Sequence, residues 1–399
     1  MAYKGTRNIK ILTSEYAAFR TDVQYYFKDK ILKEPQIILD PMAGSVPLIP
    51  FFETYGYKAY LNDILPVHCY VNRAKRYPVF QCYKKYGYEW FFQQLLHCMA
   101  PLQGKHLCIS DKWIEDSVLN DLTKAWGTTE SYNDADIVIL LKAVIILCVR
   151  PFASITKTTN PTWFKPGGMS SNKDLVEIVR ESLTRFDKYY CYHYKSAHVS
   201  QMGECIIASQ NAGQLSLPEK VDLILTSPPY CNRLDPIIQY GPENYFLSTV
   251  GHAIPEKDLI GTTKVQNYET FERDFEYLTS GSESARRLLN KIRRSPKIDD
   301  QKYYLKYYTR YFAILARTVN KVLKNLASAG KMYVVLQDNT HRGNPIEIDK
   351  VLKELLKVNG WQSRVIKSWP RHHQGLRNIS RDHAFVKQKQ YEKIVMIWQ

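Results

Sequence analysis

The chain has 399 residues, 45% of them apolar, and its 55 Lys and Arg against 39 Asp and Glu leave a formal net charge of +16. That composition is globular and rules out a disordered or fibrous chain. The longest apolar run, Ile137 to Val149, is interrupted by Lys142 and is too short to span a bilayer. The basic excess suits a polyanionic partner, because each Lys or Arg near a phosphate releases a counterion. The start, MAYKGTRNIK, lacks the apolar core of a signal peptide, and none of the eight cysteines forms a C-x-x-C pair. The expectation is therefore a cytoplasmic protein with reduced cysteines and no membrane segment. No metal centre is expected, since His372 and His373 have no acid or Cys beside them.

In chain order, an amphipathic helix is expected up to about Lys33. Gln36 to Asp40 (QIILD) is a short apolar run ending in an acid, the pattern of a buried parallel strand. PMAGSVP reads as a turn, LIPFFETYG as a helix closed by Gly56, and Tyr57 to Asp63 (YKAYLND) as the next strand, again ending in an acid. Strand, glycine turn, helix, strand is the opening unit of a doubly wound nucleotide-binding sheet. From Pro66 to Ser200 helical stretches dominate, broken by a loop from Asn160 to Gly168. Strands are expected at Glu204 to Ser209 and Val221 to Ser227. An irregular, basic stretch then runs from Cys231 to about Asp300, and a long helix from Gln301 to Leu326. Lys331 to Asn339, Ser363 to Trp369 and Glu392 to Trp398 read as strands, and Ile346 to Val358 as a helix. The expected fold is α/β, a Rossmann-like sheet with helices on both faces and a largely helical insertion. Residues 1–65 begin the catalytic domain, 66–200 form the insertion, and 201–399 complete the domain.

Two short constellations carry chemistry. Asp40-Pro41-Met42-Ala43-Gly44-Ser45 follows the first strand, at the edge where open α/β sheets bind ligands. Gly44 lets the backbone approach a ligand. Asp63, ending the second strand, is placed to accept hydrogen bonds from a ribose. An acid after each strand suits a ligand with a cationic amino-acid end and a ribose. A dinucleotide would call for G-x-G-x-x-G, which is absent.

The second constellation is Val221-Asp-Leu-Ile-Leu-Thr-Ser-Pro-Pro-Tyr230, an apolar strand running into Ser227-Pro228-Pro229-Tyr230. The two prolines fix φ and remove two N–H donors, so the turn offers acceptors only. An amino group on an aromatic base needs such a turn, because its lone pair is delocalised and poorly nucleophilic. The Ser227 oxygen and the Pro228 carbonyl, accepting its two hydrogens, would draw it toward tetrahedral geometry. Tyr230 would stack on a base swung out of its helix.

D-P-M-A-G-S followed by T-S-P-P-Y resembles the S-adenosylmethionine-dependent amino-methyltransferases of DNA, which make N4-methylcytosine or N6-methyladenine. The similarity covers about Ile37 to Asp63, Val221 to Arg233 and Lys331 to Trp398. It implies a class I methyltransferase sheet with S-adenosyl-L-methionine as cofactor. Asp40, Pro41, Ala43, Gly44, Ser45, Asp63, Ile64, Asn211 and Thr226 would hold that cofactor, and Ser227, Pro228, Pro229 and Tyr230 would form the catalytic turn. The S-P-P-Y spelling favours cytosine N4 over adenine N6. The implied partner is double-stranded DNA, and a cognate restriction endonuclease is left open. Three positions depart from the family pattern. Val46 and Pro47 stand where Gly and Thr are usual, and Asn211 falls where the family often has an acid.

For contacts to DNA, Arg286, Arg287, Lys291, Arg293 and Arg294 recur at helical spacing, as a phosphate track would. Trp163 and Lys165 lie on the glycine loop, and Asn232 and Arg233 directly follow the catalytic turn. Two other readings remain open: an RNA base amino-methyltransferase, and a degenerate homologue that only binds nucleic acid. A C5-cytosine enzyme is disfavoured, because its thiolate commonly sits on a Pro-Cys dipeptide and none occurs here.

Overall fold

The computed structural model describes residues 11, 20–34, 36–104, 110–157, 164–195, 202–231, 235–254, 259–266, 268–371 and 390–399. Its strands are β1 (Ile37–Asp40), β2 (Lys58–Asn62), β3 (Thr156–Lys157), β4 (Phe164–Lys165), β5 (Glu204–Ala208), β6 (Val221–Thr226), β7 (Leu326–Gln337), β8 (Asn339–His341), β9 (Asn344–Ile346), β10 (Gln362–Arg371) and β11 (Gln390–Trp398). Its α-helices are α1 (Thr21–Tyr26), α2 (Ile49–Thr54), α3 (Pro66–Ala74), α4 (Tyr77–Tyr86), α5 (Tyr88–Cys98), α6 (Asp116–Thr128), α7 (Ala135–Val149), α8 (Leu175–His193), α9 (Pro236–Gln239), α10 (Gly241–Thr249), α11 (Phe271–Gly281), α12 (Glu283–Arg293), α13 (Leu305–Val322) and α14 (Ile348–Val358). The chain divides into two compact units. A helical unit comprises Met1–Pro35, Ala43–Ser209 and Asp235–Pro255, and a sheet unit comprises Gln36–Met42, Gln210–Leu234 and Glu256–Gln399.

In the sheet unit five strands lie in the order β10-β11-β7-β6-β1. β1 and β7 each pair in parallel with β6, whereas β11 pairs antiparallel with both β7 and β10. The C-terminal strand is thus inserted against the direction of the other four. The parallel strands IILD and VDLILT are nearly continuous apolar runs, because neither face of such a strand meets water. Parallel neighbours need long crossovers, and the chain from β6 to β7 supplies one through α9 to α13. Within the sheet unit α14 packs on β7 and β10, and α13 on α11 and α14. The expected α/β class, a mostly parallel sheet flanked by helices, is what the structure shows.

The helical unit is built around α7. Eleven of its residues from Ile137 to Val149 are buried, so the longest apolar run of the sequence is a buried helix. The Asp134 side chain starts α7 by accepting the Asp136 N–H at 2.9 Å. Lys142, inside this helix, reaches Glu130 and lies 4.7 Å from the centre of the Trp126 ring. Among the described residues no helix is long and apolar enough to cross a membrane. β2 and β5 pair in parallel in this unit, from Lys58 opposite Glu204 to Asn62 opposite Ala208.

One expectation is corrected. Much of the stretch from Cys231 to about Asp300, expected to be irregular, is helical as α9, α10, α11 and α12. The apolar stripes are narrow, Ala285, Leu289 and Ile292 on α12 and Phe275 and Leu278 on α11, with charge filling the solvent side. Pro236 and Pro242 occupy first-turn positions where no N–H is needed.

Candidate functional site

β1 ends at Asp40 and β6 at Thr226. Ile38 lies opposite Leu223 and Leu39 opposite Ile224. That register brings Asp40 level with Leu225, one residue short of Thr226. The two segments that follow therefore leave their strands at the same carboxyl edge, the edge where open α/β sheets hold ligands. Asp40 is buried, and its Oδ1 accepts the Met42 N–H at 3.2 Å. The Thr226 hydroxyl is wholly buried with no hydrogen-bond partner.

The turn after β6 is pinned from three elements. The Tyr311 hydroxyl, from α13, donates to the Pro229 carbonyl at 2.9 Å. The Asn339 amide, from β8, donates to the Cys231 carbonyl. The Tyr230 hydroxyl donates to Glu392 Oε1 on β11 at 2.8 Å, and Ser227 Oγ donates to the Tyr230 oxygen at 3.1 Å. Burial pushes the Tyr311 phenol well above its usual pKa, so it remains a donor. Of the turn's acceptors, the Pro229 carbonyl is thus engaged, while Ser227 Oγ and the Pro228 carbonyl are the pair the amino-group chemistry calls for. Burial also raises the Cys231 thiol far above its ordinary value, which disfavours a thiolate nucleophile there. Glu392, Tyr311 and Asn339 escaped the sequence reading. The available signal was the acid that opens the terminal run EKIVMIW.

The loop Ala43 to Ser45 lies in the helical unit, and its polar groups are turned inward. The Ala43 N–H donates to the Asn62 carbonyl at 2.8 Å. Gly44 has φ +54°, a left-handed conformation that favours glycine. Its N–H donates to Asp63 Oδ2 at 2.7 Å, and its carbonyl accepts from Asn72 Nδ2 at 2.7 Å. The Val46 N–H donates to Asn72 Oδ1 at 3.3 Å, and buried Lys75 donates to Ser45 Oγ at 2.8 Å. Asp63 also accepts the Leu65 N–H at 2.8 Å. His68 Nδ1 lies 3.2 Å from Asp63 Oδ1, at ion-pair distance without hydrogen-bond alignment. Burial pushes the Asp63 carboxyl up, but the His68 ring and the two N–H donors outweigh it and hold the pKa below its ordinary value. Val46, the departure from the family pattern, is buried at 1% exposure. Ile64 beside Asp63 is half-buried. Asn72 and Lys75 are further residues the sequence reading missed. Asn211, in the sheet unit, uses its Oδ1 to accept the Gly213 N–H at 2.8 Å and so caps the short turn that follows it.

Arg286, Arg287, Lys291 and Arg293 are exposed on α12, with Arg294 at its end. Arg286 and Arg287 both pair with Glu283, the latter at 2.7 Å. Arg293 turns onto the Phe275 ring, 5.2 Å from its centre. A groove of about 680 Å³ is lined by Arg286, Arg287, Lys291 and Arg294 together with Arg342 and Asn344 of the β8–β9 hairpin. Arg342 has φ +47°, among the described residues the one non-glycine with positive φ, and Asp300 holds its guanidinium at 2.9 Å. Lys165 is exposed on β4. Trp163, Asn232, Arg233, His372 and His373 lie outside the described residues. Among the described residues no group of three or more His, Cys, Asp or Glu is placed to hold a metal.

No protein-family model matches this sequence, and no curated protein matches it. Among solved structures it is similar to the rRNA methyltransferase aviRa from Streptomyces viridochromogenes. In one structure of that protein the TM-score is 0.28 at 9% identity, covering 96% of this chain and 86% of that one. In a second the TM-score is 0.27, again at 9% identity, over 95% and 85%. Likenesses this weak carry no inference about fold or activity.

Proposed function

We propose that the protein is an S-adenosyl-L-methionine-dependent DNA methyltransferase that modifies the exocyclic amino group of a flipped base, cytosine N4 ahead of adenine N6, in a restriction-modification or related defence system. The observation that carries this reading is the proline-stiffened Ser227–Tyr230 turn, held at the same carboxyl edge as the acid that ends β1. The resemblance of the two motifs supplies the substrate class.

The residues at this edge suit the cofactor. A buried hydroxyl without a partner is costly, and Thr226 is such a group, at the strand end where a ligand would satisfy it. Asp40 and Pro41 would receive the amino-acid end, and the chain passes directly from them into Ala43, Gly44 and Ser45. The cofactor supplies a methyl carbon on a sulfonium. The chain's own part is to present the nitrogen. Ser227 Oγ and the Pro228 carbonyl accept the amino hydrogens, Tyr230 stacks on the ring, and the lone pair is freed for in-line attack. Asp63 keeps the loop in shape. A role for Asp63 toward a ribose hydroxyl rests on the motif alone. The basic groove beside α12 would track phosphates.

The test is methyl transfer from labelled cofactor to duplex DNA and, in parallel, to tRNA, followed by nucleoside analysis. Label in N4-methylcytosine or N6-methyladenine from DNA is the expected result. Label confined to tRNA would move the substrate to RNA, and no label in either would refute the enzyme reading.

A further inference from the structure

Glu392 lies on β11 opposite Gln337, the last residue of β7, and is 1% exposed. Its neighbour Lys393 is committed elsewhere, to Asp338 at 2.9 Å and Asp349 at 2.8 Å. A buried carboxylate costs much more than a buried amide or apolar group, unless it is hydrogen-bonded.

What a carboxylate adds is direction. In its ionised form it has acceptors and no proton to give. The Tyr230 hydroxyl has a single proton, and that proton goes to Glu392 Oε1. Toward Ser227 the Tyr230 oxygen is then an acceptor, and it takes the one proton of Ser227 Oγ. Ser227 Oγ is left with lone pairs only. An unconstrained serine hydroxyl serves a donor or an acceptor equally well, by rotating.

We propose that Glu392 is a positioning residue which, through Tyr230, fixes Ser227 Oγ as an acceptor. The turn then selects a ring that presents an N–H and rejects one that presents a carbonyl at the same place. This rests on the reading of the turn given above and adds the origin of its selectivity. A cytosine or adenine amino group meets a lone pair, whereas uracil or hypoxanthine sets oxygen against oxygen.

The experiment uses the full chain and duplexes carrying its mapped methylation site, with the target base either intact or replaced by its keto analogue. The wild type is expected to bind the amino duplex at least ~10-fold more tightly, since sites built around a hydrogen bond discriminate strongly. Glu392→Gln keeps the size of the side chain but can either donate or accept. It should lose most of that preference and at least ~10-fold in kcat, with KM for DNA nearly unchanged. Tyr230→Phe removes the link while keeping the ring, and it should lose the same preference, so it decides the matter if Glu392→Gln fails to fold. A variant that folds and keeps both the wild-type preference and kcat overturns the role of Glu392. A wild-type chain that methylates no nucleic acid overturns the reading of the turn itself, and this inference with it.

Discussion

The turn after β6 and the loop that follows β1 are both spelled by short motifs, yet they use their polar groups in opposite ways. In the loop, Gly44 N–H and carbonyl, Val46 N–H and Ser45 Oγ all meet partners within the helical unit, namely Asp63, Asn72 and Lys75. In the turn, prolines delete the donors, and the chain from Glu392 through Tyr230 orders Ser227 so that its lone pairs remain for another molecule. On the function proposed above, the loop motif encodes a shape and the turn motif encodes a reactivity. Removing a group from the loop should cost folding, whereas removing one from the turn should cost turnover.

The largest expected effect falls on the loop. Asp63→Ala leaves the Gly44 and Leu65 N–H groups buried without acceptors, at about 1–3 kcal/mol each. Denaturant unfolding should show a loss of about 4 kcal/mol. A loss under about 1 kcal/mol would mean that Asp63 does not hold the loop. Because its folded pKa is depressed, the stability Asp63 contributes is complete above the ordinary carboxylate value of 3.8 and is lost as pH falls through its lower folded value.

Glu53, on the helix that follows the loop, sharpens the contrast between buried carboxylates. Burial raises its pKa from 4.5 to about 7, against the opposing hydrogen bonds from Tyr194 and the Tyr77 N–H. Its folded value is raised, so the stability from its protonated form is full below pH 4.5 and is lost as pH rises through about 7. The shift corresponds to about 3 kcal/mol. Glu53→Gln should flatten the fall in melting temperature between pH 5 and pH 8. An unchanged pH profile would show that Glu53 is ionised throughout.

The smallest effect concerns a single dihedral. Gly44→Ala places a Cβ at φ +54° and should cost about 1–2 kcal/mol, read as a lower unfolding midpoint. A neutral outcome would show that the loop tolerates another conformation.

Much of this architecture was legible in the sequence because its signals are local. The IILD and VDLILT strands, the glycine turn and the buried α7 each follow from short apolar patterns. The helices between Cys231 and Asp300 were not legible, since their apolar stripes are narrow and prolines at helix starts resemble breaks. The link from Glu392 to the turn was not legible for a different reason. It is 162 residues from Tyr230 in sequence, and only the insertion of β11 between β7 and β10 carries it into the sheet. The same holds for Tyr311, on a helix that was expected but whose contact with the turn was not, and for Arg342, on a hairpin that no motif announces.

The most direct measurement of the central claim is nucleoside mass spectrometry of DNA from cells expressing the wild-type chain or Ser227→Ala. The account predicts N4-methylcytosine, or failing that N6-methyladenine, with the wild type and a drop of at least ~10-fold with the variant, whose amino acceptor is gone. Equal amounts from both, or a methylated base in neither, would contradict it.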